Sequence, residues 1–128
     1  MTEYRNDARR SSLEMWGGVE CPLVRIGDTY RDQVAETGHR LRPSDMDRIA
    51  EMGVTTVRYP ILWESLAPER PDHLDFAWTD ERLAMLRERG INVVGGLLHH
   101  GSGPRYTNLL DPDFAQKFAD YAARVAER

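Results

Sequence analysis

With 128 residues, 41% of them apolar, the chain has enough material for one domain with a buried core. Its 21 acidic and 17 basic side chains leave no excess of positive field to hold nucleic acid or an anionic membrane. The apolar runs are too short for a membrane span, MTEYRNDARRSS lacks the apolar core of a secretory signal, and Cys21 stands alone; a cytoplasmic protein with a free thiol is expected.

Residues 1–12 are polar without an apolar period and predict a flexible tail. LEMWGGVE, from Leu13, has the composition of a buried strand, and the stretch from Cys21 to Arg42 reads as a polar, irregular connection. Ser44 and Asp47 form an S-x-x-D helix start, Met46, Ile49 and Ala50 share one face, and Gly53 is the stop. VTTVRYP then predicts a second strand that ends at Pro60, because proline cannot donate to a sheet ladder. TDERLAMLRERG predicts a helix capped by Thr79, with Leu83 and Leu86 inward and Gly90 as its end. INVVGGLL supplies the third strand. Asp111 followed by Pro112 reads as an N-cap with proline at the first helical position, and Phe114, Phe118, Tyr121, Ala122 and Val125 continue at helical spacing.

Strand and helix therefore alternate three times, which argues for an α/β fold with parallel strands and right-handed crossovers. The helix starts at Ser44, Thr79 and Asp111 are spaced near the roughly 31 residues per unit of an eight-unit barrel. An open doubly wound sheet would place a short glycine-rich turn after its first strand, and no G-x-G-x-x-G occurs there. Residues 13–128 are accordingly expected to form about three βα units, the N-terminal part of a (β/α)8 TIM barrel belonging to a longer protein. The alternative is a small three-layer α/β domain complete in itself.

In a barrel, chemistry gathers where the strands end, and the polar residues there are Glu20, Arg58 and the pair His99 and His100. Adjacent residues on an extended chain point to opposite sides, so the two histidines are not expected to chelate one metal ion; they either pack and cap the loop or bind a ligand hydroxyl. Arg58 lies in an otherwise apolar strand and either reaches solvent or clamps a carboxylate. Glu20 and Glu64 are the glutamates near strand ends, and paired carboxylates are the equipment of glycoside hydrolysis, although Glu64 beyond Trp63 could equally be solvated. Trp63 is expected to pack; Trp16 either packs or stacks on a sugar ring.

VRYPILWESLAP, residues 57–68, resembles the second strand of family 1 glycoside hydrolases, where Y-R-F-S-I-S-W-S-R-I-x-P occupies the same place; Arg58, Trp63 and Pro68 match at the same spacing. LEMWGG resembles the F-L-W-G opening of that family's first strand, and GLLHH with Pro104 resembles its L-Y-H-W-D-L-P third strand. The resemblance implies a barrel that hydrolyses β-linked sugars with retention; no cofactor or metal is expected. It makes Arg58 the support of the nucleophilic glutamate and a third-strand histidine the binder of a sugar hydroxyl. Because HHGSGP carries one residue more than H-W-D-L-P, either His99 or His100 takes that role, and Glu20 is the nearest counterpart of the first-strand glutamine. The family's two catalytic glutamates lie on its fourth and seventh strands, beyond this sequence.

The expectation is thus the N-terminal segment of a retaining β-glycosidase-like protein. It would supply the sugar-binding residues Glu20, Arg58, His99 and His100, be inactive by itself, take a small carbohydrate as partner and be prone to self-association at an open sheet edge. Family 1-like regions also occur fused to domains resembling dTDP-4-dehydrorhamnose reductase. A non-catalytic carbohydrate-binding or interaction module of a sugar-nucleotide-modifying enzyme is the second expectation.

Overall fold

A computed structural model describes residues 13–19, 23–101 and 103–128, so the predicted 1–12 tail, Glu20 and Cys21 lie outside the described residues. Three strands, β1 (Trp16–Gly18), β4 (Thr56–Pro60) and β5 (Asn92–Gly96), form a parallel sheet in the order β1-β4-β5. Gly18 pairs with Arg58, and Arg58 with Val94. A separate antiparallel hairpin joins β2 (Leu23–Ile26) to β3 (Thr29–Asp32), and the helices are α1 (Gln33–Glu36), α2 (Asp45–Glu51), α3 (Trp63–Leu66), α4 (Ala77–Glu88) and α5 (Phe114–Ala126).

Alternation along β4 decides how the sheet is covered. Val57 and Tyr59, 1% and 0% exposed, face one way and pack with Met46 and Ile49 of α2, Leu86 of α4, and Val54 and Ile91. Their neighbour Arg58 is exposed, and the residues in register on its side include Trp16, 65% exposed, and Val94, 44% exposed. Among the described residues, helices thus cover one face of a parallel sheet, while on the other Trp16, Arg58 and Val94 are exposed and Thr56 and Pro60 are buried. A second cluster forms beyond the strand ends, where Trp63, 1% exposed, stacks on Tyr121 and touches Phe114 and Phe118 of α5, while the Tyr121 hydroxyl donates to Ile61 O at 2.6 Å.

The structure corrects several local expectations. The stretch predicted as irregular from Cys21 to Arg42 contains β2 and β3, joined by a two-residue turn at Gly27 and Asp28 with Gly27 at φ 61°, followed by α1 and a 3-10 turn, His39–Leu41. Ser44 precedes α2 but makes no side-chain cap bond, and Asp47 pairs with Arg89 instead. α4 begins at Ala77, two residues before Thr79, because Asp75 Oδ1 accepts from Ala77 N at 2.9 Å; Thr79 is buried within the helix. α5 begins at Phe114, three residues after Asp111. The Asp111 carboxylate accepts from Asp113 N and Thr107 Oγ1 and pairs with Lys117 at 2.6 Å, which folds a turn ahead of the helix. Gly53, at φ 78°, does close α2 as expected.

A polar chain runs from exposed Arg42 inward to buried Tyr59 of the sheet. Arg42 Nε donates to Asp45 Oδ1 at 2.6 Å, Asp45 Oδ2 lies 2.7 Å from His39 Nδ1, and His39 Nε2 lies 2.7 Å from the Tyr59 hydroxyl. The bond from Arg42 is the main reason the Asp45 carboxyl sits below its ordinary range. With Asp45 ionised, Nδ1 must donate, and in the neutral ring Nε2 then accepts from Tyr59.

Candidate functional site

The C-terminal ends of β1, β4 and β5 meet at one rim of the sheet. Val19 N donates to Arg58 O at 2.9 Å, which extends β1 along β4. Beyond β5 the chain passes Leu97 and Leu98 to His99, whose Nδ1 lies 3.4 Å from Arg58 Nη2. Arginine can only donate, so the ring nitrogen turned toward it is the acceptor. Val19, Arg58, Pro60, Gly96 and His99 line a cavity of about 20 Å³ at this rim. Parallel strand pairing thus brings together two of the four predicted binding residues, separated by 41 positions in sequence. Arg58 is exposed, the outcome expected of an arginine that reaches solvent, and its head lies at the rim.

His100 lies against His99, with ring centroids 4.4 Å apart at 73°. The chain is not extended there: His100 has φ 53°, in the left-handed region, and this turn brings the two rings together. The expectation that the pair points to opposite sides is therefore corrected. Among the described residues no group of three or more His, Cys, Asp or Glu is arranged to hold a metal ion.

Glu64 is the residue that sequence reasoning placed worst. Read as possibly solvated, it is 4% exposed, carried inward on α3 next to the packed Trp63. Its Oε1 accepts from Gly103 N at 3.1 Å, and Oε2 has no hydrogen-bond partner. Burial pushes its carboxyl upward, against the smaller opposing effect of backbone donors including Gly103. Of the glycines after the histidines, Gly101 answers to this carboxyl and Gly103 to Thr107 and its own backbone. A Cβ on Gly101 would lie 1.9 Å from Glu64 Oε1, and one on Gly103, at φ 88°, would lie 2.8 Å from Thr107 Cγ2.

The hairpin braces the same loop from outside. Arg25 Nη1 donates to Thr107 O at 2.6 Å, the Tyr30 hydroxyl donates to Gly103 O at 3.0 Å, and Arg105 lies over the Tyr30 ring. These contacts span more than 70 residues, and the one local signal for the hairpin was Gly27-Asp28 between two strand-forming tetrapeptides. Trp63 packs as expected. Trp16 is exposed, and its Nε1 donates to Glu14 Oε2 at 3.1 Å. Compared with protein-family models and with curated proteins, the chain matches none.

Proposed function

We propose that this chain is an N-terminal portion of a (β/α)8 barrel similar to family 1 glycoside hydrolases, in which Arg58 and His99 bind a sugar. The observation that carries the reading is the meeting of Arg58 Nη2 and His99 Nδ1 at one rim of parallel strands, 3.4 Å apart. A guanidinium offers fixed donors and an imidazole can accept or donate, a combination suited to the hydroxyls of a pyranose. The sheet supports the same reading. Its strands lie side by side in chain order, and α2 and α4 pack on one face, whereas a doubly wound sheet has both faces covered. In the complete enzyme a double displacement would use two carboxyl groups about 5 Å apart, neither supplied by Arg58 or His99.

His99, the member of the doublet turned to Arg58, takes the sugar in this proposal, and His100 shapes the loop. The test is binding of phenyl β-glucoside, followed by NMR. Arg58→Ala and His99→Ala are each expected to weaken binding about tenfold, one hydrogen bond's worth, and His100→Ala to weaken it less. No turnover of the glucoside is expected. Binding unaffected by Arg58→Ala and His99→Ala, or turnover abolished by Glu20→Gln, would overturn the reading.

A further inference from the structure

We propose that the cavity between the β2–β3 hairpin and the turn after α3 is a second binding site, which takes a primary ammonium on a short apolar body and meets its charge with Glu64. This cavity shares no lining residue with the one at the Arg58–His99 rim, and the proposal does not rest on the sugar reading.

The shape comes first. The cavity measures about 180 Å³. At roughly 30 Å³ per water this is the share of about six waters, or a ligand of about that many non-hydrogen atoms. Leu23, Pro68, Pro104 and the Tyr30 ring line it with apolar surface that suits a short alkyl chain. The Tyr30 hydroxyl is already committed to Gly103 O.

The polar groups decide what the ligand must carry. Glu64, 4% exposed, is the buried carboxyl of this lining. Its Oε1 accepts from Gly103 N at 3.1 Å, and its Oε2 has no partner. Backbone donors favour the ionised carboxyl and burial opposes it; no cationic side chain is among the influences on it. A cation bound beside Oε2 supplies that missing compensation. An ammonium fits better than a metal ion, since a hard metal demands several oxygen ligands whereas an ammonium needs one good acceptor here and can keep water on its other N–H groups.

Charge balance points the same way. Two carboxyls, Glu64 and Glu69, and one guanidinium, Arg105, line the cavity. Arg105 is drawn to the outside: it lies 3.8 Å from Glu69, donates to Asp28 O and covers the Tyr30 ring. Arg25, the other cation beside Tyr30, donates to the carbonyls of Gly27, Pro104 and Thr107. With Glu69 answered by Arg105, the cavity is one positive charge short. The Glu69 side chain is 73% exposed and marks the mouth, where it attracts a cation without being desolvated.

The test titrates the ¹⁵N-labelled chain with n-pentylammonium, following the amides of Leu23, Tyr30, Glu69 and Arg105 and the side-chain carboxyl carbon of Glu64. Saturable shifts are expected. Pentan-1-ol, of the same length without the charge, should bind at least about tenfold more weakly, and pentanoate should cause no saturable shift. Glu64→Gln keeps the shape and the acceptor for Gly103 and should weaken pentylammonium about tenfold, whereas Glu69→Gln, at an exposed position, should cost only about two- to threefold. Leu23→Trp leaves the carboxyl in place but fills the cavity, and should abolish the saturable shifts. Equal affinity of the wild type for the alcohol and the ammonium would overturn the proposal, and that comparison needs no variant to fold. So would binding that is unchanged in Glu64→Gln, or a larger loss from Glu69→Gln than from Glu64→Gln, the mark of a surface ion pair.

Discussion

Two carboxyls set opposite dependences on pH. Glu64 has a raised carboxyl against an ordinary 4.5, so its contribution to stability is fully present below about that pH and is lost as pH climbs through the higher folded value. Asp111 is the reverse. Lys117, Thr107 and the Asp113 N–H hold it down to about 2, so its contribution is present above 3.8 and is lost as pH falls through about 2. Denaturant midpoints should therefore decline on both sides, and Glu64→Gln should flatten only the alkaline decline. Tyr59 allows a simpler measurement. Its ring is 0% exposed and its hydroxyl partners the buried His39 Nε2. Tyr59→Phe orphans that nitrogen and is expected to lower unfolding free energy by about 1–3 kcal/mol, read from urea denaturation. A loss near zero would mean that His39 has found another partner.

At the scale of elements, the helices follow local rules of periodicity but start where side chains in the preceding turn put them. Asp75 and Asp111 lie ahead of α4 and α5 and accept from the backbone at Ala77 and Asp113. Asp111→Ala removes three hydrogen bonds at once from the lead-in to α5. It is expected to lower the denaturant midpoint, with fraying of the first turn visible in amide exchange at Phe114 to Lys117. Protection unchanged there would show that Trp63 and Tyr121 hold α5 without the turn.

For the molecule as a whole, the exposed side chains on one sheet face and the places of β1 and β5 at the edges of the described sheet have the strongest consequence. Trp16 and Val94 expose apolar surface on β1 and β5, which no further strand pairs among the described residues, a combination that invites association with a second copy. Sedimentation velocity should show a mass that rises with concentration, and Val94→Lys should shift it toward monomer. A monomer at every concentration for the wild type would count against the open-face reading. No helix among the described residues is long and apolar enough to cross a membrane.

Much of the scaffold was legible because it is local. The periods of Met46, Ile49 and Ala50, of Leu83 and Leu86, and of Phe114, Phe118 and Tyr121 correctly marked the inward faces of α2, α4 and α5. The β-branched runs around Val57 and Val93 located parallel strands. The hairpin was missed because Leu23–Ile26 and Thr29–Asp32 are only four residues each, and what holds them is Arg25 and Tyr30 reaching a loop distant in sequence. The rim divides the same way. Strand order made Arg58 and a histidine candidates, but only tertiary structure selected His99 as Arg58's neighbour and turned His100 onto it. Glu64 divides furthest from its local context: its residue type suggests solvent, while the packing of Trp63 beside it and the glycine loop across from it bury its carboxyl. By itself, then, the sequence determined periodicity, strand composition and the chemistry available at the strand ends. Tertiary structure decided burial and partnership, because both depend on which distant backbone comes to lie against a side chain.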